Sequence, residues 1–296
     1  MNRIGVDIGG TSLRAAVVDE NGKITDRTET VNRKDLTPTE NLKPLADFIN
    51  AHKENAAGIG IGCPGPLDPF DGRILNAPNL PGWENFKVTD YFEDQTGLHT
   101  ELTNDANAAG LAEALAGAGK GQDSVYFLTV STGVGGAFVY KGEIVNGANG
   151  LAAEVHNMFV NEDTYTHRGM NPGGLELQSS GTAIGRIATE DYGRPVDARE
   201  VFDLYREGDE TAVRIVNDAA RNLARGIENI VCVVDPAMFI IGGSVALKNP
   251  EFLDLVREYA KQYVFFPDRL DIETARFGGD AGLTGAAMLI NPDVKA

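Results

Sequence analysis

The sequence contains little cysteine and no long hydrophobic run. Only two of its 296 residues are cysteines, Cys63 and Cys232, which excludes a disulfide framework and a structural zinc site built on several thiolates. No apolar segment approaches the ~18–20 residues that span a membrane. The first ten residues, MNRIGVDIGG, lack the layout of a signal peptide. We therefore expect a cytoplasmic protein with no membrane partner.

Basic residues are also scarce. The chain carries 26 lysines and arginines against 43 aspartates and glutamates, a formal net charge of −17. A surface this acidic repels the phosphates of nucleic acids, so we expect no nucleic-acid partner. A small anion held by local backbone dipoles remains compatible with it. Hydrophobic residues make up 42% and charged residues 23%, which is the composition of a globular protein.

A pattern of strand, glycine turn and strand occurs twice, at residues 4–18 and 125–140. Helical spacing of apolar residues follows each copy and predicts helices at 42–52, 88–95, 107–116, 176–187, 198–207, 210–233 and 250–263. Residues 64–86 are rich in proline, glycine, asparagine and aspartate, which predicts a long ordered loop. We predict an α/β protein of two similar lobes around a central cleft, a favoured place for a small-molecule site.

The first glycine turn reads Asp7-Ile-Gly-Gly-Thr-Ser12. Glycines let backbone N–H groups approach a phosphate, and the two hydroxyls add donors. An aspartate directly before them can hold Mg²⁺ through water. An ordinary β-hairpin turn is the alternative interpretation.

The second glycine turn, Ser131–Gly136, reads STGVGG. Two hydroxyl–glycine turns could grip the phosphate tail of a nucleotide from both sides, so the pair is more specific than either turn alone. A P-loop is disfavoured, because Gly119-Lys120 is followed by Gly121 and not by serine or threonine.

Asn104 and Asp105 stand where the predicted strand 100–103 ends and a helix begins. Phosphorylation of an alcohol needs a base that accepts the hydroxyl proton as the phosphoryl group moves, and an aspartate does this in kinases. The alternative is that Asp105 or Asn107 merely caps the helix.

Polar side chains that suit sugar hydroxyls are scattered through the predicted loops. They are Asn76, Asn79, Glu154, His156, Asn157 and Glu176. Any one of them could equally be a solvated loop residue.

As an ordered set, the motifs resemble the ROK family (repressors, uncharacterised reading frames and sugar kinases) of the actin-like ATPase superfamily. The resemblance covers nearly the whole chain and rests on Asp7–Thr11, Gly62–Leu67, Asn76–Trp83, Asn104–Glu113, Ser131–Gly136, Gly174–Gly181 and Asp235–Ser244. It implies a two-lobed actin-like ATPase (ribonuclease H-like) fold with duplicated domains. The small lobe would comprise residues 1–105 with about 282–296, and the large lobe residues 106–281.

The resemblance also implies ATP-dependent phosphorylation of a hexose at its 6-hydroxyl, with Asp105 as the catalytic base and with Mg²⁺ accompanying ATP. The sugar would be bound by Asn79, Asn104, Asp105, Glu154, Asn157 and Glu176. The nucleotide would be bound by Asp7, Gly9, Gly10, Thr11, Ser12, Thr132, Gly133, Gly242 and Gly243. A homodimer is expected on the same basis.

One stretch departs from the family pattern. Asn157 occupies the place of a histidine that contacts sugar and zinc in the family, and His156 precedes it. His167, Gly169 and Gly174 stand where the family has zinc-binding cysteines, so we predict no structural zinc. Glucose is the first candidate substrate, with N-acetylmannosamine, a β-glucoside, allose and fructose as alternatives. A non-catalytic sugar sensor and a DNA-binding repressor are further alternatives, although the first motif at residue 7 leaves no room for a helix-turn-helix before it.

Overall fold

The computed structural model describes residues 1–167 and 169–291. The strands are β1 (Asn2–Ile8), β2 (Ser12–Val18), β3 (Ile24–Val31), β4 (Ala56–Cys63), β5 (Leu67–Asp68), β6 (Arg73–Ile74), β7 (Phe86–Lys87), β8 (Thr100–Asn104), β9 (Ser124–Val130), β10 (Val134–Tyr140), β11 (Glu143–Ile144), β12 (Met238–Gly242) and β13 (Ile272–Thr274). The α-helices are α1 (Pro38–His52), α2 (Val88–Thr96), α3 (Asp105–Ala116), α4 (Leu175–Ser179), α5 (Gly181–Tyr192), α6 (Ala198–Glu207), α7 (Glu210–Val233), α8 (Ser244–Lys248), α9 (Pro250–Tyr263) and α10 (Ala281–Leu289).

Two five-stranded sheets share one plan. The first sheet has the order β3-β2-β1-β4-β8 and the second has the order β11-β10-β9-β12-β13. In the first sheet β4 runs parallel to both β1 and β8, and in the second β12 runs parallel to both β9 and β13. In each sheet, therefore, the carboxyl ends of neighbouring parallel strands meet at one edge, where α/β proteins commonly bind ligands.

Helix α10 packs directly on the backbone of the first sheet. A Cβ atom on Gly60 would lie 1.7 Å from the carbonyl oxygen of Ala286, and one on Gly5 would lie 2.1 Å from that of Leu283. The glycines in these otherwise apolar strands are therefore explained by close approach of the helix. A Cβ on Gly285 would lie 1.6 Å from the Ala108 carbonyl oxygen, so α3 and α10 approach each other equally closely.

The packing divides the chain into two units. The first comprises Met1–Gly121, Ala137–Ala152 and residues 276–291, and the second comprises Gln122–Gly136 and Ala153–Ala275. Helix α3 belongs to the first unit because it packs against α10, whereas our predicted boundary after residue 105 separates it from that lobe.

Two predicted elements differ from the observed ones. The predicted helix 176–187 is two helices, because Ser180 is extended and its hydroxyl caps α5 by accepting a hydrogen bond from the Ala183 amide. The predicted loop 64–86 contains β5 and β6, which form a small antiparallel sheet with β7. Within the described residues, no helix has the length and apolar character needed to cross a bilayer.

Candidate functional site

The first glycine turn is fixed by hydrogen bonds on both sides. The Gly9 amide donates to the Ser12 carbonyl at 2.9 Å, and the Asn32 amide donates to the Thr11 carbonyl at 2.8 Å. A Cβ on Gly10 would lie 2.7 Å from the backbone oxygen of Asn79, so only glycine allows this approach. The structure therefore brings the predicted sugar ligand Asn79 against the predicted phosphate turn.

Asp7 is paired with an arginine that our sequence analysis did not identify. Its Oδ2 atom lies 3.0 Å from Nε of Arg14 and also accepts a hydrogen bond from Nη2. The Nη1 atom of Arg14 donates to the Gly279 carbonyl at 3.1 Å. The predicted hairpin could have identified Arg14, because Asp7 and Arg14 are direct cross-strand neighbours in it.

Asn104 and Asp105 lie at the junction of β8 and α3. Asn104 is the N-cap, and its Oδ1 accepts a hydrogen bond from the Ala106 amide at 2.8 Å. The cap is thus neither Asp105 nor Asn107. Asp105 is an exposed residue of the first helical turn, and its Oδ1 also lies 2.8 Å from the Ala106 amide. Asn107 is buried, and within the described part of the chain its Oδ1 has no hydrogen-bond partner.

Cys63 lies close to both Asp7 and Asp105, at one edge of the first sheet. Burial raises the pKa of its thiol well above the usual value, and the negative charges of Asp105 and Asp7 raise it further. The strand register agrees, since Asp7 is opposite Gly62 and Cys63 is opposite Asn104. Neighbouring strands lie about 4.8 Å apart, which places β1 and β8 on either side of β4.

The second glycine turn is attached to the start of α5. The Gly181 amide donates to the Ser131 carbonyl at 2.7 Å, and the Thr182 hydroxyl donates to the Thr132 carbonyl at 2.7 Å. The Val134 amide donates to Oε2 of Glu176 at 2.9 Å. A predicted sugar ligand therefore also fixes the backbone of the predicted phosphate turn.

Gly242 is the last residue of β12 and Gly243 follows it, beside the last residue of β9. Gly243 has a φ of +87°, and a Cβ there would lie 2.3 Å from the Val130 carbonyl oxygen. Val130 immediately precedes the second glycine turn. The glycines predicted to line the adenosine site therefore lie beside the end of β9, which leads into the second glycine turn.

Glu154, His156 and Glu176 form a charged group in the second unit. The Nδ1 atom of His156 lies 3.0 Å from Oε2 of Glu154. This hydrogen bond raises the pKa of His156; burial opposes the rise, and the charges of Glu154 and Glu176 add to it. Carboxylates and a histidine placed together in this way can bond neighbouring hydroxyls of a sugar.

The Asn157 side chain is hydrogen-bonded to a neighbouring loop. Its Oδ1 accepts a hydrogen bond from the Asn171 amide at 2.6 Å. Nearby, Gln178 donates to Asp163 at 2.8 Å and accepts from Asn161 at 2.9 Å. The same bond from Gln178 is the main reason that the pKa of Asp163 lies below its usual value. Amide and carboxylate side chains thus order the stretch in which we predict no zinc.

The chain matches one family across nearly its whole length. The family model described as ROK family covers residues 3–292. A glucokinase of Thermotoga maritima is 32% identical over 305 residues, with 97% of this chain and 96% of that protein covered. An N-acetylmannosamine kinase of Escherichia coli is 34% identical over 290 residues, with 98% of each covered.

Solved structures agree with this match. The ROK hexokinase from Thermus thermophilus has a TM-score of 0.91 at 35% identity, with 98% of each chain covered. A ROK family glucokinase from Streptomyces griseus, in complex with glucose and AMPPNP, has a TM-score of 0.78 at 29% identity, with 98% of this chain and 99% of that chain covered. These similarities confirm the predicted fold class, the two-lobed actin-like ATPase fold.

Proposed function

Because the chain belongs to the ROK family and its relatives are sugar kinases, we propose that it transfers the γ-phosphoryl group of ATP to the 6-hydroxyl of a hexose. Glucose is the first candidate substrate. The observation that carries this proposal is the position of Asp105, exposed at the start of α3 and at the same sheet edge as Asp7 and the first glycine turn.

Asp105 acts as the base in this proposal. It accepts the proton of the 6-hydroxyl as the oxygen attacks the γ-phosphorus. Its carboxylate lies at the N-terminal end of α3, the positive end of the helix dipole, with Oδ1 2.8 Å from the Ala106 amide. Asn104 fixes the start of the helix by capping it, so the carboxylate is held on a rigid element.

The sugar hydroxyls would be bound by amide and carboxylate side chains. Asn79 and Asn104 are placed by the first glycine turn and by the cap of α3, and Glu154 and Glu176 flank His156. Asn157 would act through its amide nitrogen, since its oxygen already accepts from Asn171.

The two glycine turns would bind the phosphates of ATP, and Gly242 and Gly243 would line the adenosine site. The nucleotide would be accompanied by Mg²⁺, with Asp7 holding it through water. No cluster of three or more acidic, histidine or cysteine ligands occurs among the described residues, which fits an ion held chiefly by phosphates, water and one carboxylate. When bound, Mg²⁺ neutralises charge on the transferring phosphoryl group.

A second candidate substrate is N-acetylmannosamine, the substrate named for the Escherichia coli relative. The altered stretch around His156 and Asn157 bears on this choice, because the amide of Asn157 stands where the family pattern has a histidine. We also propose, from the resemblance alone, that the protein is a cytoplasmic homodimer; sedimentation velocity would test the dimer.

The test is a coupled ADP-release assay with MgATP against glucose, mannose, fructose, allose, N-acetylglucosamine, N-acetylmannosamine and a β-glucoside. One clear substrate supports the kinase, whereas no turnover with folded protein favours a sugar sensor. Asp105→Asn is expected to lower kcat by at least about 10²–10⁴-fold while sugar binding, measured by calorimetry, is retained. Asp90→Asn is the matched control, because Asp90 also lies in the first turn of a helix, α2, and should leave kcat unchanged.

A further inference from the structure

Glu176 belongs to the charged group of the second unit and also contacts the second glycine turn. Its Oε2 atom accepts a hydrogen bond from the Val134 amide at 2.9 Å. A Cβ atom on Gly133 would lie 2.6 Å from the same oxygen, so the carboxylate lies directly against the backbone of the turn. The absence of a side chain at Gly133 gives the carboxylate room for this contact.

The same carboxylate faces His156. The hydrogen bond with Glu154 is the main cause of the raised pKa of His156; burial opposes it, and the charges of Glu154 and Glu176 add to it. Glu176 therefore lies within electrostatic reach of the histidine while it contacts the turn. Its Oε1 atom has no hydrogen-bond donor among the residues that the structure describes. One carboxylate oxygen thus binds the turn, and the other can accept a hydrogen bond from a ligand.

The backbone that carries Glu176 is held without any ligand. The Leu175 amide donates to the Met158 carbonyl at 2.8 Å, and the Ser179 hydroxyl donates to the Ala219 carbonyl at 2.9 Å. Helix α4 is therefore fixed at both of its ends, on the segment before it and on α7. The part of this contact that can respond to a ligand is the side chain of Glu176.

The two ends of the turn are held by different kinds of group. At its start, two carbonyls accept hydrogen bonds from the first residues of α5, the Gly181 amide and the Thr182 hydroxyl, each at 2.7 Å. At its far end, the Val134 amide donates to the Glu176 side chain. The start of the turn is therefore fixed by a helix, whereas its end is fixed by a proposed sugar ligand.

We propose that Glu176 is a positioning residue that couples sugar binding to nucleotide binding. This inference rests on the proposed kinase function. A sugar hydroxyl that donates to Oε1 holds the carboxylate in place, and the bond from Oε2 to the Val134 amide then keeps the end of the turn in one conformation. A phosphate that binds this turn loses less conformational entropy as a result. The hydroxyl also offsets part of the negative charge of the carboxylate, which reduces its repulsion of the phosphate.

Calorimetry on the full-length protein measures this coupling directly. AMPPNP with Mg²⁺ is titrated without sugar and again with a saturating concentration of the sugar that is turned over in the ADP-release assay, beginning with glucose. The ratio of the two dissociation constants is the coupling factor, which should be about five- to tenfold in the wild type and below about twofold in Glu176→Ala. Titration of the sugar with and without AMPPNP should give the same factor, because coupling is reciprocal.

Glu154→Ala is the matched control. Glu154 is also a proposed sugar ligand, but its carboxylate bonds His156 and not the turn. The variant should weaken sugar binding and keep the coupling factor of the wild type. A general loss of sugar affinity is thereby separated from a loss of coupling.

Two further variants test the contact itself. Glu176→Gln should keep most of the coupling, since its amide oxygen can accept from the Val134 amide while its NH₂ group donates to a sugar oxygen. Gly133→Ala changes the contact from the other side, because its Cβ would displace the carboxylate; it should lower the factor as Glu176→Ala does. If Glu176→Ala does not fold, Gly133→Ala tests the same contact.

An unchanged coupling factor in Glu176→Ala or in Gly133→Ala would overturn the proposal, as would an equal fall in Glu154→Ala. Turnover by a wild-type protein that binds sugar and AMPPNP independently would overturn the coupling and leave the kinase function standing. Folded protein that neither binds nor turns over any sugar of the panel would overturn both.

Discussion

The two sheets have the same strand order but carry different side chains at their corresponding edges. At the edge of the first sheet, Asp7 is opposite Gly62; at the matching edge of the second sheet, Thr129 is opposite Gly242. In the first sheet the final parallel strand, β8, leads directly into a helix that begins with Asp105. A duplicated scaffold therefore supplies a glycine turn twice, whereas the carboxylates proposed for metal and proton chemistry occur in the first copy alone.

The two units also differ in how their loops are held. In the first unit Glu113 is fully buried and accepts hydrogen bonds from the amides of Arg276 at 2.6 Å, Phe277 at 2.8 Å and Ala118 at 3.1 Å. In the second unit a neutral amide, Gln178, holds the loop around Asp163. We therefore predict that replacing Glu113 destabilises the folded protein more than replacing Gln178 does.

Glu113→Ala should therefore have the largest effect on stability. It removes the acceptor of three partly buried hydrogen bonds and should lower the free energy of unfolding by roughly 3–5 kcal/mol. Gln178→Ala, the matched change in the second unit, should cost about 1–2 kcal/mol. Urea denaturation followed by circular dichroism measures both, and equal losses would contradict the distinction between the units.

Gly243→Ala tests the glycine turn region of the second sheet. The positive φ and the 2.3 Å approach to the Val130 carbonyl oxygen should together cost roughly 2–4 kcal/mol and raise the KM for ATP. Gly10→Ala in the first sheet should cost less, because its φ is ordinary and the nearby Asn79 lies in a loop. Gly279→Ala is the control, since nothing lies within 4 Å of its Cβ position; a loss there as large as at Gly243 would refute the steric explanation.

Arg14→Gln tests the charge difference between the two sheet edges. Without the guanidinium, Arg14 no longer competes with Mg²⁺ for the Asp7 carboxylate. Half-maximal activity should therefore need about three- to fivefold less Mg²⁺. Mn²⁺ binding followed by electron paramagnetic resonance should strengthen in parallel. Arg27→Gln, which contacts Asp280 but not Asp7, should change neither value. An unchanged or higher Mg²⁺ requirement in Arg14→Gln would show that Arg14 does not compete for Asp7.

Local patterns in the sequence were enough to predict most of the fold. Alternating apolar residues and glycine turns predicted β1 and β2, and apolar spacing predicted α3, although the helix begins at Asp105, two residues before the predicted start. The two glycine turns, which we propose bind phosphate, follow from the same local patterns. Candidate site residues that are positioned by their own hairpin or helix cap could therefore be predicted from the sequence.

Contacts between distant parts of the chain could not be predicted from local patterns. Glu113 and Arg276 are 163 positions apart, and no periodicity relates them. The hydrogen bond between Glu176 and the Val134 amide likewise joins residues 42 positions apart. The split at Ser180 was missed because apolar spacing continues through it, while a hydroxyl cap restarts the helix.

The smallest expected effect concerns the pH dependence of the second unit. Because Glu154 raises the pKa of His156 above 6.5 in the folded protein, the stability from this pair is fully present below the unfolded pKa and is lost as pH rises through the folded one. The difference in urea midpoint between the wild type and His156→Gln should therefore be largest below pH 6.5 and shrink at higher pH. His99→Gln in the first unit, where an exposed histidine faces Glu93 and Glu101, is the comparison. A His156→Gln difference that stays constant with pH would show that the histidine acts there by packing alone and not by charge.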